Sequence, residues 1–156
     1  MIVWYGDMEN KRTLLLLILI LVVTLFIFSN SLKGSEASTQ DSDFFIRIIE
    51  SIFGKTDLNL HFIVRKAAHM VEFALLSLLV SGWVFLQRNP RLWMGYGLFY
   101  ELAVAVTDEF IQTFTGRTGA VSDVLIDFSG ALIGVMIALL CRKLKHISRN
   151  KLTISK

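Results

Sequence analysis

Four apolar blocks, at 13–32, 67–87, 92–111 and 120–141, hold 83 of the 156 residues of this chain. Each reaches the roughly 20 residues that cross a ~30 Å hydrocarbon core at a rise of ~1.5 Å per residue. The blocks therefore predict an all-α integral membrane protein with four transmembrane helices, residues 1–156 forming a single membrane domain. With 54% hydrophobic and 19% charged residues, the composition excludes a soluble globule. One proline, 10 glycines and the lack of a low-complexity tract exclude a disordered or collagenous chain. The single cysteine, Cys141, cannot form an internal disulfide and is read as structural.

The first block admits an alternative. Lys11 and Arg12 precede the apolar run 14–28, and Ser29 and Ser31 follow it, as in a cleaved signal peptide. The run is long for such a segment and Leu32 extends it, which favours a retained span.

Basic residues set the orientation. Segments 1–12, 88–91 and 142–156 carry 10 of the 16 Lys and Arg in 31 residues, whereas 33–66 and 112–119 carry 6 in 42 residues. The positive-inside rule then puts both termini in the cytoplasm, with 142–156 as a basic cytoplasmic tail. The net charge of +3 reflects orientation and contact with anionic headgroups, so no nucleic-acid partner is inferred. The outer loop 33–66 opens with a polar run. Phe44, Phe45, Ile48, Ile49, Ile52 and Phe53 then recur at helical spacing, with Asp43, Arg47, Glu50 and Ser51 opposite. That pattern predicts a short amphipathic helix ended by Gly54, lying along the outer membrane surface or capping the bundle.

Six of the 13 acids fall inside the apolar blocks: Glu72, Glu101, Asp108, Glu109, Asp123 and Asp127. An ionisable group in a span costs several kcal/mol unless it is paired, hydrated or neutralised, so each marks a site or a buried partner. Under this topology Lys66, His69 and Glu72 open the second span. Asp108, Glu109 and Gln112 close the third, Asp123 and Asp127 open the fourth, and the hairpin 113–119 carries Arg117 to the same level. The pairs Asp108/Gln112 and Asp123/Asp127 are i,i+4 and His69/Glu72 is i,i+3, so each pair shares a helix face. Three polar faces are expected to converge near the outer surface, with Glu101 about two turns (~10 Å) deeper. Acids outnumber bases there, which suits a general acid, a proton site or a cation site.

Ordered stretches within these helices carry a family resemblance: Arg65-Lys66-Ala67-Ala68-His69-Met70-Val71-Glu72, then Asp108-Glu109-Phe110-Ile111-Gln112-Thr113-Phe114-Thr115-Gly116-Arg117, then Asp123-Val124-Leu125-Ile126-Asp127-Phe128-Ser129-Gly130 with Gly134. Lys-x-x-His, Glu-x-x-Gln with a following Arg, and Asp-x-x-x-Asp-x-x-Gly resemble the signature stretches of the VanZ-like family of bacterial membrane proteins, over about 60–140. Phe73 stands where that family often has Tyr, and Thr115 where Pro is common. The resemblance implies a multi-pass protein of the bacterial plasma membrane, similar to one associated with reduced susceptibility to teicoplanin-type glycopeptides. It carries over Lys66, His69, Glu72, Glu109, Gln112, Arg117, Asp123 and Asp127 as motif residues without assigned roles.

Three functions follow from these residues. The first is an outward polar pocket that binds an envelope lipid, a lipid-linked precursor or a lipophilic glycopeptide through Lys66, Asp108, Gln112, Arg117 and Asp123. The second is an intramembrane enzyme acting on a lipid-linked phosphate or ester. In it His69, Glu72, Glu109 and Asp127 are the catalytic candidates, with Asp123 and Asp127 open to a divalent cation. No nucleophile elbow, His-x-x-x-His or arginine-rich phosphatase signature supports it. A small transporter is the weakest reading, because no internal repeat is visible. The bland alternatives are that His69 bridges a carboxylate, Lys66 snorkels, and Asp123 and Asp127 cap the last helix and pair with Arg117. Gly130 and Gly134 present a small-residue face for helix packing or for a second copy of the chain.

Overall fold

A computed structural model describes residues 3–33, 35–53, 59–117 and 119–154. Among the described residues there are five helices: α1 (Val3–Ser31), α2 (Ser35–Phe53), α3 (Leu60–Val84), α4 (Pro90–Thr113) and α5 (Val121–Ile154). No strand occurs among the described residues.

Local chemistry sets the helix starts. The Asn59 side chain accepts from the Phe62 N–H at 3.1 Å and Asn89 from the Leu92 N–H at 3.5 Å. Pro90 takes the first position of α4, where its missing N–H costs nothing. Capping by Asn59 begins α3 seven residues before the expected block. At the other end of the chain α5 runs unbroken through 142–154, where a tail was expected; no proline or glycine interrupts it. Helix α2 is also longer than expected, since the polar run from Ser35 is helical too. Gly54, expected to end it, lies outside the described residues, as do the side chains of Phe44 and Phe53.

Helix α3 is the centre of the bundle. Helices α1, α2, α4 and α5 all pack on it, and α4 also touches α1 and α5. The core joins Ile20 and Ile27 of α1, Phe73, Leu76, Val80 and Val84 of α3, and Val104 and Ala105 of α4. Gly130 and Gly134 are buried against α3 of the same chain, beside Met70 and Ala74. The small-residue face offered by the sequence to a second copy therefore serves packing within the chain. A side chain there would have to enter the α3 backbone, so the two helices approach more closely than larger residues allow.

Polarity is inverted relative to a soluble protein. Phe99, Phe110, Val121, Leu125, Met136 and Leu140 are exposed, whereas Glu101, Asp108, Glu109, Gln112 and Asp127 are buried. That arrangement suits lipid as the solvent. Among the described residues, three helical segments are long and apolar enough to cross a membrane: Asn10–Ser31, Leu60–Val84 and Val121–Ser148. The block expected as the third span, in α4, falls short because Glu101, Asp108 and Glu109 lower its hydropathy, even though all three face the bundle rather than its surface.

Candidate functional site

The end of α1, the first half of α3, the end of α4 and the start of α5 meet at one end of the bundle. The structure brings His69, Glu72, Asp108, Gln112 and Asp127 together there. His69 Nδ1 lies 3.7 Å from Asp108 Oδ2 and 3.9 Å from Glu72 Oε2, too far for a hydrogen bond in either case. Asp108 is fully buried and held on both oxygens, by Ser31 Oγ at 2.6 Å and by Gln112 Nε2 at 2.9 Å. Gln112 reaches Ser31 Oγ as well, at 3.5 Å. Asn30 Nδ2 donates to Glu72 Oε1 at 2.7 Å. Asp127, 2% exposed, has one carboxylate oxygen with no hydrogen-bond partner, and His69, 7% exposed, has none for Nδ1.

Other candidates have structural duties. Glu109 Oε1 accepts from the Ala120 N–H at 2.9 Å, satisfying one of the open amides at the start of α5, while its Oε2 has no partner. Lys66 forms an ion pair with Asp123 and lies 5.5 Å from the centre of the Phe62 ring. Asp123 sits in the first turn of α5, where a negative charge is favourable. Its partner is thus Lys66, from the adjoining α3, and not Arg117 as the hairpin had suggested. Gly116, at φ 75°, takes the left-handed conformation that turns the chain after α4 and delivers Arg117 to the site. Burial, and then the Arg65 charge, pull the Arg117 guanidinium below its ordinary range, against Asp108 and Glu109, which hold it up. A guanidinium stays cationic through such shifts.

A cavity of about 460 Å³ opens beside this cluster. Its wall carries Lys33, Arg65 and Arg117, then His69 and Glu72, with Asn30 and Ser42 adding neutral polar groups. Phe26, Phe45, Val64 and Ala68 supply its apolar side. Ser42 of α2 contacts His61 Nδ1 at 3.1 Å, and Asp43 lies 3.8 Å from the same ring, which seats α2 at the cavity rim. His61 is engaged there and does not join His69. A second cavity of about 390 Å³, among Leu17, Val80, Trp83, Trp93 and Tyr96, carries none of these residues.

Glu101 stands apart, 1% exposed, facing Ser77 of α3 with no hydrogen bond closed by either carboxylate oxygen. Asn30, Ser31, Lys33 and Arg65 were not singled out from the sequence. The signal for Asn30 and Ser31 was their place at the outer end of the first apolar block, where Ser31 reads equally as a processing site. Thr115 Oγ1, which donates to the Ser31 carbonyl at 3.3 Å, ties the hairpin to the same end of α1.

A family model described as VanZ/LLP1 matches residues 13–142, a span that includes α1 as well as the motif helices. No curated protein and no solved structure matches the chain.

Proposed function

We propose, for a chain that belongs to the VanZ/LLP1 family, that the cavity between α1, α2 and α3 binds the anionic headgroup of an envelope lipid or lipid-linked precursor. The observation that carries this reading is the cavity wall itself, which combines Lys33, Arg65 and Arg117 with Phe26, Phe45 and Val64. Guanidinium groups pair with phosphate oxygens in fixed, two-pronged geometry, and a site shielded from water strengthens each such contact. The apolar side suits the first carbons of an acyl or polyprenyl chain, and about 460 Å³ is ample for a headgroup.

The setting is a bacterial plasma membrane crossed four times, with α4 as the third span and both termini cytoplasmic, as the Lys and Arg distribution favours. The cavity then opens to the outer leaflet, with the exposed Phe45, Ile48 and Ile52 of α2 resting in the interface beside it. Occupying a lipid-linked precursor there lowers susceptibility to lipophilic, teicoplanin-type glycopeptides, which reach their target at the same surface. A second reading, an acid/base or metal-assisted enzyme acting on a lipid-linked phosphate or ester, is favoured by one observation. His69 borders the cavity with Nδ1 unpartnered.

The test is binding of fluorescent phosphatidylglycerol and of a polyprenyl phosphate to the protein in phosphatidylcholine nanodiscs, beside Arg117→Gln and Arg65→Gln. A hydrogen bond to a charged group contributes about 1.5–3 kcal/mol, so each variant is expected to weaken binding by about 10- to 100-fold. Equal affinity of the wild type for anionic and zwitterionic lipid overturns the reading. Turnover of the polyprenyl phosphate, lost in His69→Ala, would select the enzyme.

A further inference from the structure

We infer that His69, Asp108 and Asp127 form a divalent-cation site at the wall of the headgroup cavity. The site stands on its own atoms; only its consequence for a bound anion rests on the headgroup reading.

Each residue comes from a different helix, α3, α4 and α5, and each offers a ligand atom within 4.8 Å of the other two. For an ion with ligand bonds of about 2.1 Å, two ligand atoms stand about 3.0 Å apart at a right angle and about 4.2 Å apart when opposed. The 3.7 Å between His69 Nδ1 and Asp108 Oδ2 lies inside that range. The longest separation closes with a shift of some tenths of an ångström.

Independent of the spacing, two of the three residues carry unsatisfied buried atoms, and one of these, His69 Nδ1, faces the Asp108 carboxylate. His69 and Asp127 are 7% and 2% exposed, and His69 Nδ1 and Asp127 Oδ2 have no hydrogen-bond partner. Buried polar atoms are nearly always partnered, so two orphans at one point indicate a missing ligand rather than two separate defects. The charges agree. Lys66, the lysine on the adjoining turn of α3, is engaged by Asp123, and Arg117 is shared between Asp108 and Glu109, so two acids, Asp108 and Asp127, remain against an imidazole and one shared guanidinium.

The surroundings are built as a metal site needs. Ser31 and Gln112 fix the Asp108 carboxylate from behind, and Asn30 holds one oxygen of Glu72. The free oxygen of Glu72 lies 3.9 Å from His69 Nδ1, placed for a fourth ligand. One imidazole nitrogen with two or three carboxylates suits Mn²⁺, Fe²⁺ or Zn²⁺ better than Mg²⁺ or Ca²⁺, which favour all-oxygen sets. His69 and Glu72 belong both to this cluster and to the cavity wall, so the ion lies where an anionic headgroup would meet it. This arrangement differs from the sequence expectation, in which Asp123 and Asp127 were the metal pair.

The test uses the full chain in phosphatidylcholine nanodiscs, stripped with chelator and titrated with Mn²⁺ followed by electron paramagnetic resonance, with Zn²⁺ uptake measured by elemental analysis. About one ion per chain is expected for the wild type, and at least about tenfold weaker binding for Asp127→Asn. Glu101→Gln, a change to another buried acid outside the cluster, is expected to bind as the wild type does. If Asp127→Asn fails to fold, Ser31→Ala takes its place. It removes a hydrogen bond from Asp108 without altering a ligand, and about a 10-fold loss is expected. A wild type that takes up no ion, or an Asp127→Asn protein that folds and binds Mn²⁺ as tightly as the wild type, overturns the site. Arg117→Gln separates the two readings. It should weaken anionic-lipid binding and leave Mn²⁺ uptake intact. Lipid selectivity in a protein that never binds the ion refutes the cation site alone.

Discussion

Replacing Gly130 by alanine tests how closely α5 is seated on α3. A Cβ at this position falls 2.9 Å from Met70 Cα and 3.0 Å from its carbonyl carbon, and closer still to the carbonyl oxygen. Carbon atoms in contact prefer about 3.5–4.0 Å, so the helices must part by roughly 0.5–1 Å. Only backbone opposes the new methyl, and no rotamer change relieves it. The helix-propensity gain of about 1 kcal/mol for Gly→Ala is thus set against an overpacking cost of about 1–3 kcal/mol, here at its upper end. A net loss of about 1–2 kcal/mol follows, a fall in Tm of about 2–8 °C for a chain of this size. Gly95→Ala is the matched control. It lies within α4, and a Cβ added there would meet nothing within 4 Å, so only the propensity gain applies and Tm should rise by about 2–4 °C. Thermal unfolding of both variants in nanodiscs reads the sign directly. If Gly130→Ala stabilises the protein as Gly95→Ala does, the close α3–α5 contact is wrong.

Three further outcomes are expected. Lys66→Met and Asp123→Asn each break an ion pair whose side chains are 13% and 18% exposed. Each should cost about 3 kcal/mol, the low end for a buried pair, while Lys66→Met/Asp123→Asn costs less than the sum; additive losses in this double-mutant cycle would exclude the pairing. Glu101→Met removes a buried carboxyl whose two oxygens lack hydrogen-bond partners. It should raise Tm, by a stabilisation of about 1–3 kcal/mol, and a fall would show that Glu101 has an energetic partner. Finally, an epitope placed ahead of α1 and one after α5 should travel on the same polypeptide in membranes, because Asn30 and Ser31 hold Glu72 and Asp108. A shorter product lacking the first epitope would mean that the α1 contacts do not persist.

The depth of the site was legible because lipid makes polar residues costly. Asp108 with Gln112 and His69 with Glu72 could be assigned to shared faces from spacing alone, and a hairpin topology brings those faces to one end. Pairing between helices was not legible. Helical periodicity fixes the direction of Asp123 from its own axis but not the rotation or height of its neighbour, so the sequence pointed to Arg117 of the adjoining hairpin rather than to Lys66. The contribution of α1 was hidden for a related reason. Asn30 and Ser31 are ordinary residues for the end of an apolar run, and only the packing of α1 against α3 and α4 gives them carboxylates to hold. The helix limits differed where capping and helix propensity outweighed apolarity: Asn59 starts α3 early, and the basic segment after Cys141 continues α5.

The glycine face and the polar cluster are one device. Gly130 follows Asp127 by three residues and so shares its face of α5, while Met70, the residue it rests on, adjoins His69. The distance between the two backbones at Gly130 therefore limits how near the Asp127 carboxylate comes to the imidazole. The three candidate ligand atoms lie within 4.8 Å of one another, and the outer edge of what one ion with bonds of about 2.1 Å can gather is about 4.2 Å. An added separation of roughly 0.5–1 Å from Gly130→Ala carries Asp127 beyond that edge without altering any ligand. Mn²⁺ binding should weaken in Gly130→Ala and stay unchanged in Gly95→Ala, measured at a temperature where both are folded. A destabilised Gly130→Ala protein that still holds Mn²⁺ with wild-type affinity would mean that something other than the α3–α5 approach positions Asp127.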